Sequence, residues 1–366
     1  MKRKNHTKFV CTLQAFNINY SIINFRAGEN NVKNIKKIIS TVLISVFVLS
    51  FTGCGMIEKT PEAIAKSTVA KINSEKITRG ELDNSPEMMQ LLTQFKSQYG
   101  ENYSSNTEAM AALKTQKGQL LDQMISIRLL LQKAKELNIG QDEKAIQTEV
   151  DAQYAEAKKT YTSEADFTAA LKTAGYTEAS LKDSYKQRAI VNKVIDYMTK
   201  DVSVTDKAVQ DYYNSNMMKY TESPNKIDVA HILVKTQAEA VKVKARIDAG
   251  EDFAKVAKEV SLDTATKDKG GDLGYVNYVD SGLETSFINA AIPLKVGQVS
   301  SPVETSYGFH IIKCIAKQEY PVKKFDTVKA EIKTTLLEEA KNTAVTTKLD
   351  EWKKAAKITK YDNNLM

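Results

Sequence analysis

The chain has 366 residues, of which 42% are hydrophobic and 27% are charged, which is enough material for two globular domains. Its formal net charge is +7, but eight lysines and arginines stand against one acidic residue within positions 1–53, so positions 54–366 carry no net charge. The overall charge therefore gives no support for nucleic-acid binding, and we predict none.

An uncharged, mostly apolar run extends from Ile38 to Phe51 and is 14 residues long. Three lysines precede it, and Thr52, Gly53 and Cys54 follow it. A helix that crosses a bilayer needs roughly 20 apolar residues, so this run is too short to span one. A basic start, a short apolar middle and small residues at the end predict a secretion signal.

The Thr-Gly-Cys sequence after this run resembles the bacterial lipobox, in which a cysteine thiol receives diacylglycerol and becomes the new N-terminus. The resemblance implies lipidation of Cys54 and, since each buried methylene contributes roughly 0.8 kcal/mol, anchoring at the cell membrane. Phe51 stands where the lipobox usually has Leu, and the alternative is an ordinary signal peptide with an incidental cysteine. We predict that 1–53 are leader and signal peptide, that 1–31 precede the true translation start, and that 54–66 are a tether.

Cysteine usage agrees with export. Cys11 lies in the predicted leader and Cys54 is the predicted lipid acceptor, which leaves Cys314 alone in the body of the chain. No intramolecular disulfide can form, so the fold must be held by its apolar core.

The first elements of the exported part lie in residues 67–222. A strand is predicted over Thr68–Ile72, and Thr78 with Glu81 has the spacing of a capping box that begins a helix. From residue 87 to 220, apolar residues recur at spacings of three and four with almost no proline, which predicts helices throughout. We therefore predict a mainly helical N-terminal domain over 67–222.

The pattern changes after Ser223-Pro224-Asn225. Residues 227–234 have the composition of a strand, a capping box from Thr236 to Glu239 begins a helix, and Gly270–Gly274 predicts a permissive loop. Strands that alternate with short helices over about 90 residues predict a compact α/β domain, which we place at 225–318.

Helical spacing returns after Pro321, and Ile358–Tyr361 is a last strand candidate. This strand can pair with residues 69–72, which would make 319–366 pack on the N-terminal domain. The predicted fold class is α+β: a split, mainly helical N/C-terminal domain with an inserted α/β domain, an antiparallel sheet flanked by short helices.

Several motifs of the inserted domain occur in an order that identifies a family. They are Ala230-His231-Ile232-Leu233-Val234, Phe253-Ala254 with Ala257, Ser261-Leu262-Asp263, Gly270-Gly271-Asp272-Leu273-Gly274, Phe287, Leu294 with Gly297, and Gly308-Phe309-His310-Ile311-Ile312. Each motif alone is weak, but together they resemble the parvulin family of peptidyl-prolyl isomerases. The wider chain resembles the extracellular lipoprotein foldases of Gram-positive bacteria (PrsA-type), which share its lipobox, helical N-terminal part, inserted parvulin domain and helical tail.

The resemblance implies catalytic roles for four polar residues. His231 and His310 are the only histidines outside the predicted leader, and the family implies that they lie on adjacent strands with hydrogen-bonded imidazoles in the floor of the site. Asp263 stands where parvulins have Cys or Asp, and Thr305 matches a hydroxyl position that supports one imidazole. The alternative for a histidine on a strand is a purely structural role.

The resemblance assigns the proline-binding pocket to Leu273, Leu283 and Phe287. Leu283 stands where Met is frequent, and the loop 275–281 is slightly longer than in small parvulins. The alternative for all three apolar residues is ordinary core packing.

Prolyl isomerisation requires no covalent chemistry. Its barrier, near ~20 kcal/mol, is set by amide resonance, so an enzyme needs only to bind the twisted amide better than either planar form. We predict no nucleophile, no cofactor and no metal, since two histidines and one cysteine make a poor zinc site.

The resulting hypothesis is a membrane-anchored extracellular foldase that isomerises X-Pro bonds in secreted proteins and assists their folding after translocation. Its predicted partners are unfolded or partly folded secreted proteins, and the resemblance also suggests a homodimer. The alternative is a holding chaperone with a catalytically weak parvulin scaffold. A solute-binding or adhesion lipoprotein would need a ligand motif that the sequence does not show. Because the segment 234–237 after the first strand holds only one basic residue, Lys235, we predict no preference for phosphoserine-proline.

Overall fold

The computed structural model describes residues 60–366. The predicted leader, the apolar run, the lipobox with Cys54 and residues 54–59 of the predicted tether lie outside the described residues. Contacts divide the described chain into two compact units: residues 60–202 together with 339–366, and residues 203–338. Across residues 60–366, none of the helices combines the length and hydrophobicity needed to cross a lipid bilayer.

The elements are numbered in chain order. The helices are α1 Pro61–Ala65, α2 Arg79–Asp83, α3 Pro86–Tyr99, α4 Thr107–Glu136, α5 Glu143–Lys159, α6 Glu164–Thr173, α7 Glu178–Thr199, α8 Asp206–Ser215, α9 Gln237–Asp248, α10 Phe253–Val260, α11 Thr285–Ala291 and α12 Phe325–Ala355. The strands are β1 Thr68–Ile72, β2 Glu75–Thr78, β3 Lys226–Val234, β4 Asp272–Asn277, β5 Val303–Thr305, β6 Gly308–Gln318 and β7 Ile358–Lys360.

The first unit combines helices α1 to α7 and the C-terminal half of α12 with a three-stranded antiparallel sheet of order β2-β1-β7. Ala70 pairs with Lys360 and Ile72 with Ile358, so the predicted pairing of the first and last strands is confirmed. The buried residues of the sheet pack against the apolar side chains of α4. This core includes Val69, Ile72, Leu121, Leu129, Leu130 and Leu349.

Both predicted capping boxes are present. The amide of Thr78 donates to Glu81 at 2.7 Å at the start of α2, and the amide of Thr236 donates to Glu239 at 2.9 Å at the start of α9. In each case the side-chain oxygens take up amides that the first helical turn leaves without partners.

The second unit is built on a four-stranded antiparallel sheet of order β4-β3-β6-β5. Successive side chains of a strand point to opposite faces, so β3 and β6 supply buried residues to two cores. The core that includes α11 contains Ile227, Val229, Phe287, Ile288, Ile312 and Cys314. The core that includes α9 and α10 contains Ala230, Ile232, Val234, Val243, Phe253, Val256 and Ile311.

The second unit extends beyond the predicted α/β domain. Residues 203–222 and 319–338 group with the sheet, whereas the sequence assigned them to the flanking helical part. The reason is a small buried cluster in which Val209 of α8 packs with Val328 and Ile332 of α12.

Candidate active site

The register of the central strands brings the two histidines together. His231 of β3 pairs with Ile312 of β6, and His310 pairs with Leu233, so the histidines occupy diagonal positions on one face of the sheet. Their Nδ1 atoms lie 2.9 Å apart, and the rings stack with an interplanar angle of 16°. Each residue is 6% exposed. The predicted juxtaposition on adjacent strands is therefore present.

Asp263 lies at the other nitrogen of the first imidazole. Its Oδ2 atom is 2.8 Å from Nε2 of His231, and it also accepts a short hydrogen bond from the hydroxyl of Thr266. The amide of Ala265 donates to Oδ1 at 3.1 Å. Burial opposes ionisation, but the hydrogen bonds from Thr266, His231 and Ala265 outweigh it and hold the pKa of Asp263 below its usual range.

The loop that carries Asp263 is fastened to the end of β3. The amide of Leu262 donates to the carbonyl oxygen of Leu233 at 2.7 Å, and the Ser261 hydroxyl accepts from the amide of Leu233 at 3.1 Å. Since His231 lies two residues earlier on the same strand, these bonds fix the carboxylate relative to the imidazole.

Thr305 closes the other end of the polar chain. Its Oγ1 atom lies 2.9 Å from Nε2 of His310. The same oxygen accepts from the amide of Tyr307 at 3.1 Å, which places it in the tight turn between β5 and β6. The sequence prediction that this hydroxyl contacts one imidazole agrees with the geometry.

The ionised carboxylate determines the direction of the hydrogen bond between Asp263 and His231. Asp263 can only accept, so Nε2 of His231 donates to it. Nδ1 of His310 lies against Nδ1 of His231, and Nε2 of His310 lies against the Thr305 hydroxyl, which can also donate to the carbonyl oxygen of Gly308 at 3.3 Å. Burial, reinforced by the neighbouring His231, lowers the pKa of His310 to about 4, so this ring is neutral at physiological pH.

The three predicted pocket residues lie in one apolar cluster next to the imidazoles. The ring of Phe287 meets both at steep angles, with centroids 5.7 Å from His231 and 5.2 Å from His310. Leu273 and Leu283 are partly buried in the same cluster. Phe287 itself is only 3% exposed, so it is a core residue as well as a wall of the site.

One polar residue of the site was missed from the sequence. The hydroxyl of Thr266 contacts Asp263 and lies 3.3 Å from Nε2 of His231. A hydroxyl three residues after a predicted catalytic carboxylate was the available signal, because local side-chain hydrogen bonds at that spacing are common in turns. Among residues 60–366, no group of three or more His, Cys, Asp and Glu side chains is placed to share a metal ion.

Comparison with known proteins adds two family matches. Residues 223–316 match the PPIC-type PPIASE domain family, and residues 29–195 match the SurA-like N-terminal domain family. The chain is 53% identical to the foldase protein PrsA of Clostridium kluyveri (strain ATCC 8527) over 86% of this chain and 94% of that protein. It is 50% identical to the foldase protein PrsA of Clostridium botulinum (strain Okra / Type B1), over 92% of this chain and 100% of that protein. Among solved structures it is similar to the peptidylprolyl isomerase PrsA from Bacillus anthracis, with 32% identity, 63% of this chain and 96% of that chain covered, and a TM-score of 0.33.

Proposed function

The chain belongs to the PrsA foldase family and is a parvulin-type peptidyl-prolyl cis-trans isomerase, and from this premise we propose that it is a lipid-anchored, extracellular enzyme that isomerises X-Pro bonds in secreted proteins while they fold. One observation carries the catalytic part of this proposal. It is the continuous hydrogen-bonded chain from Asp263 through His231 and His310 to Thr305, with Phe287 against both imidazoles.

This hydrogen-bonded series of side chains supports catalysis without a covalent step. Amide resonance gives the C–N bond partial double-bond character and places negative charge on the carbonyl oxygen. Twisting the amide removes both features, so a site that disfavours charge on that oxygen stabilises the twisted form relative to the planar ones. The side chain of Asp263 is 24% exposed, whereas that of His231 is 7% exposed. The ionised Asp263 is therefore the charged group of this hydrogen-bonded series that can face a bound peptide.

The remaining polar groups orient this carboxylate. Thr305 contacts His310, His310 contacts His231, and His231 donates to Asp263, so each side chain constrains the orientation of the next. Leu273, Leu283 and Phe287 would hold the pyrrolidine ring beside this chain through apolar contacts. A reduction of the barrier by about 4–5 kcal/mol would accelerate isomerisation roughly 10³-fold.

The catalytic proposal is tested by replacing the charged group. In a protease-free NMR exchange assay on an Ala-X-Pro peptide, we expect Asp263→Ala to lower kcat/KM by about 10²-fold. Asp268→Ala is the matched control, because Asp268 lies five residues away with a side chain that is 70% exposed. Wild-type activity in Asp263→Ala would show that this carboxylate does not act on the amide.

The proposed location and anchor are supported by the sequence before the described residues. The apolar run 38–51 between lysines and Cys54 has the order of a lipoprotein signal. We propose cleavage before Cys54, diacylglycerol on its thiol and exposure of the remaining chain outside the cell membrane. Mass spectrometry of the mature N-terminus tests this, and an unmodified Cys54 within an uncleaved chain would contradict it.

A holding chaperone with little catalysis is the second candidate. The match of residues 29–195 to the SurA-like family and the separate compact unit of 60–202 with 339–366 favour a client-binding role for the helical part. We propose that this part, predicted as 67–222 and 319–366, holds partly folded secreted proteins as a homodimer, while 225–318 isomerises them. Asp263→Ala separates the candidates: secretion of clients survives this change if holding dominates, and falls with peptide turnover if isomerisation does.

A further inference from the structure

We propose that Glu284 is a positioning residue of the isomerase site, acting through Ser306 and Thr305 on His310. This inference rests on the proposed function, because it assigns a role in the same reaction. It adds a residue that the motifs of the sequence did not indicate and that lies outside the polar chain itself.

The contact that suggests it joins Glu284 to the turn between β5 and β6. The amide of Ser306 donates to both carboxylate oxygens of Glu284, at 3.2 Å and 3.0 Å, and the Ser306 hydroxyl makes a further short hydrogen bond to Oε1. A carboxylate that accepts from an amide and a hydroxyl of one residue fixes that residue in position and orientation.

The turn that Glu284 fixes is the turn that positions the hydroxyl on His310. Ser306 directly follows Thr305, and the strands on either side of the turn pair Thr305 with Gly308 and Val303 with His310. The Thr305 hydroxyl reaches Nε2 of His310 from this turn. A displacement of Ser306 would therefore move the hydroxyl that contacts Nε2 of His310.

Glu284 also lies next to the helix that carries the apolar side of the site. It is the residue immediately before α11, and its side chain makes no capping bond to that helix because the carboxylate is directed to Ser306. Phe287 lies three residues further on, in the first turn of α11, with its ring 5.2 Å from that of His310. One carboxylate thus connects the segment that carries the apolar wall to the turn that carries the hydroxyl.

The charge of Glu284 is present at neutral pH and lies near the imidazole. The hydrogen bonds from the side chain and backbone of Ser306 hold the pKa of Glu284 below its usual range. Its negative charge acts on His310 against the effect of burial. Loss of Glu284 should therefore change the environment of His310 both in geometry and in electrostatic potential.

The test compares Glu284→Ala and Ser306→Ala with Glu304→Ala. Glu304 is an exposed acidic residue of the same hairpin, adjacent to Thr305, and serves as the matched control. We expect Glu284→Ala to lower kcat about tenfold with KM changed less than about twofold, because a charge-assisted contact that orients the site is lost. Ser306→Ala should give a smaller loss, and the double variant should lose no more than Glu284→Ala alone.

The ¹⁵N shifts of the His310 imidazole provide a readout that does not depend on turnover. They should move in Glu284→Ala and stay unchanged in Glu304→Ala. The proposal would be overturned if Glu284→Ala had the same kcat and the same His310 ¹⁵N shifts as Glu304→Ala. If Glu284→Ala does not fold, Ser306→Ala alone decides: unchanged shifts and turnover in that variant refute the proposal. Absence of isomerisation in the wild-type protein would instead refute the proposed function, and the shifts would still decide the role of Glu284.

Discussion

The carbonyl oxygen of Gly271 accepts a hydrogen bond from the backbone amide of His231 at 2.9 Å, so the glycine-rich loop lies directly against the strand that carries the first imidazole. A Cβ atom on Gly271 would lie 2.1 Å from the carbonyl oxygen of His231, and the φ angle of Gly271 is 82°. Both the contact and the conformation require glycine. The loop therefore determines where the backbone of His231 lies.

Replacement of this glycine should damage fold and site together. We expect Gly271→Ala to lower the free energy of unfolding by roughly 3 kcal/mol, because backbone atoms must separate to admit the methyl group. Gly274→Ala is the control: Gly274 has a similar φ of 69° but no atom within 4 Å of the place that its methyl group would take, so only conformational strain of roughly 1 kcal/mol is expected. Urea denaturation measures both values. Equal losses would mean that the contact with His231 contributes nothing.

The lowered pKa of His310 should make stability depend on pH. Its pKa falls from 6.5 to about 4 on folding, so between these values the unfolded chain binds a proton that the folded chain does not. Stability from this group is complete above about pH 6.5 and is lost progressively as the pH falls towards 4, on the order of 3 kcal/mol in total.

Replacing His310 with Gln should remove this pH-dependent part of the unfolding free energy. We expect the difference in unfolding free energy between wild type and His310→Gln to shrink as the pH falls from about 6.5 to 4. The contribution of Asp263, whose pKa is depressed, is lost only below about pH 4, so the two windows are separate. If the difference in unfolding free energy between wild type and His310→Gln did not change between about pH 6.5 and 4, a neutral, buried His310 would be contradicted.

The sequence predicted the meeting of the two histidines but not the way they meet. The motifs give the order of the strands, and the pairing of β1 with β7 was predicted from strand candidates at residues 68–72 and 358–361. The diagonal placement of His231 and His310 depends on a register shift between Asp228 and Val229 in the pairing of β3 with β6, which no motif encodes. The packing of Val209 on Val328 was also missed, because contacts between helices distant in the chain leave no local pattern. The catalytic roles of the site residues stay predictions.

A buried lysine in the helical unit offers a test of stability away from the site. Lys117 is 5% exposed, and its Nζ lies 2.6 Å from Oδ1 of Asp83, which also pairs with Arg79. Burial lowers the pKa of Lys117, and Asp83 opposes this shift. The pair thus holds a charge in a place where water does not solvate it.

Truncating the Lys117 side chain should lower the free energy of unfolding more than replacing it by an apolar side chain of similar length. We expect Lys117→Ala to lower the free energy of unfolding by about 2–3 kcal/mol and Lys117→Met by about 1 kcal/mol less, because Met restores the packing of the aliphatic stem. Denaturant unfolding followed by circular dichroism measures both. A Met variant as unstable as the Ala variant would show that the ion pair, not the packing, is what the site requires.

The connection from β3 to α9 explains why a phosphorylated residue before proline should not be preferred. β3 ends at Val234 and α9 begins at Gln237, so Lys235 and Thr236 alone form the connection. A helix start can bind phosphate through its free amides, but here the Glu239 carboxylate already accepts from the amide of Thr236 at 2.9 Å and adds a negative charge.

We therefore expect matched phosphoserine-proline and serine-proline peptides to differ by less than about tenfold in kcat/KM, with the phosphorylated peptide the poorer substrate. Glu239→Gln removes the negative charge at the start of α9 while keeping a side chain that can accept a hydrogen bond. In this variant the kcat/KM values of the two peptides should lie closer together, because repulsion between Glu239 and the phosphate would be the main source of their difference. NMR exchange measurements on both peptides test the prediction. A phosphopeptide preference above about tenfold in the wild-type protein would require a cationic site other than Lys235 near the end of β3.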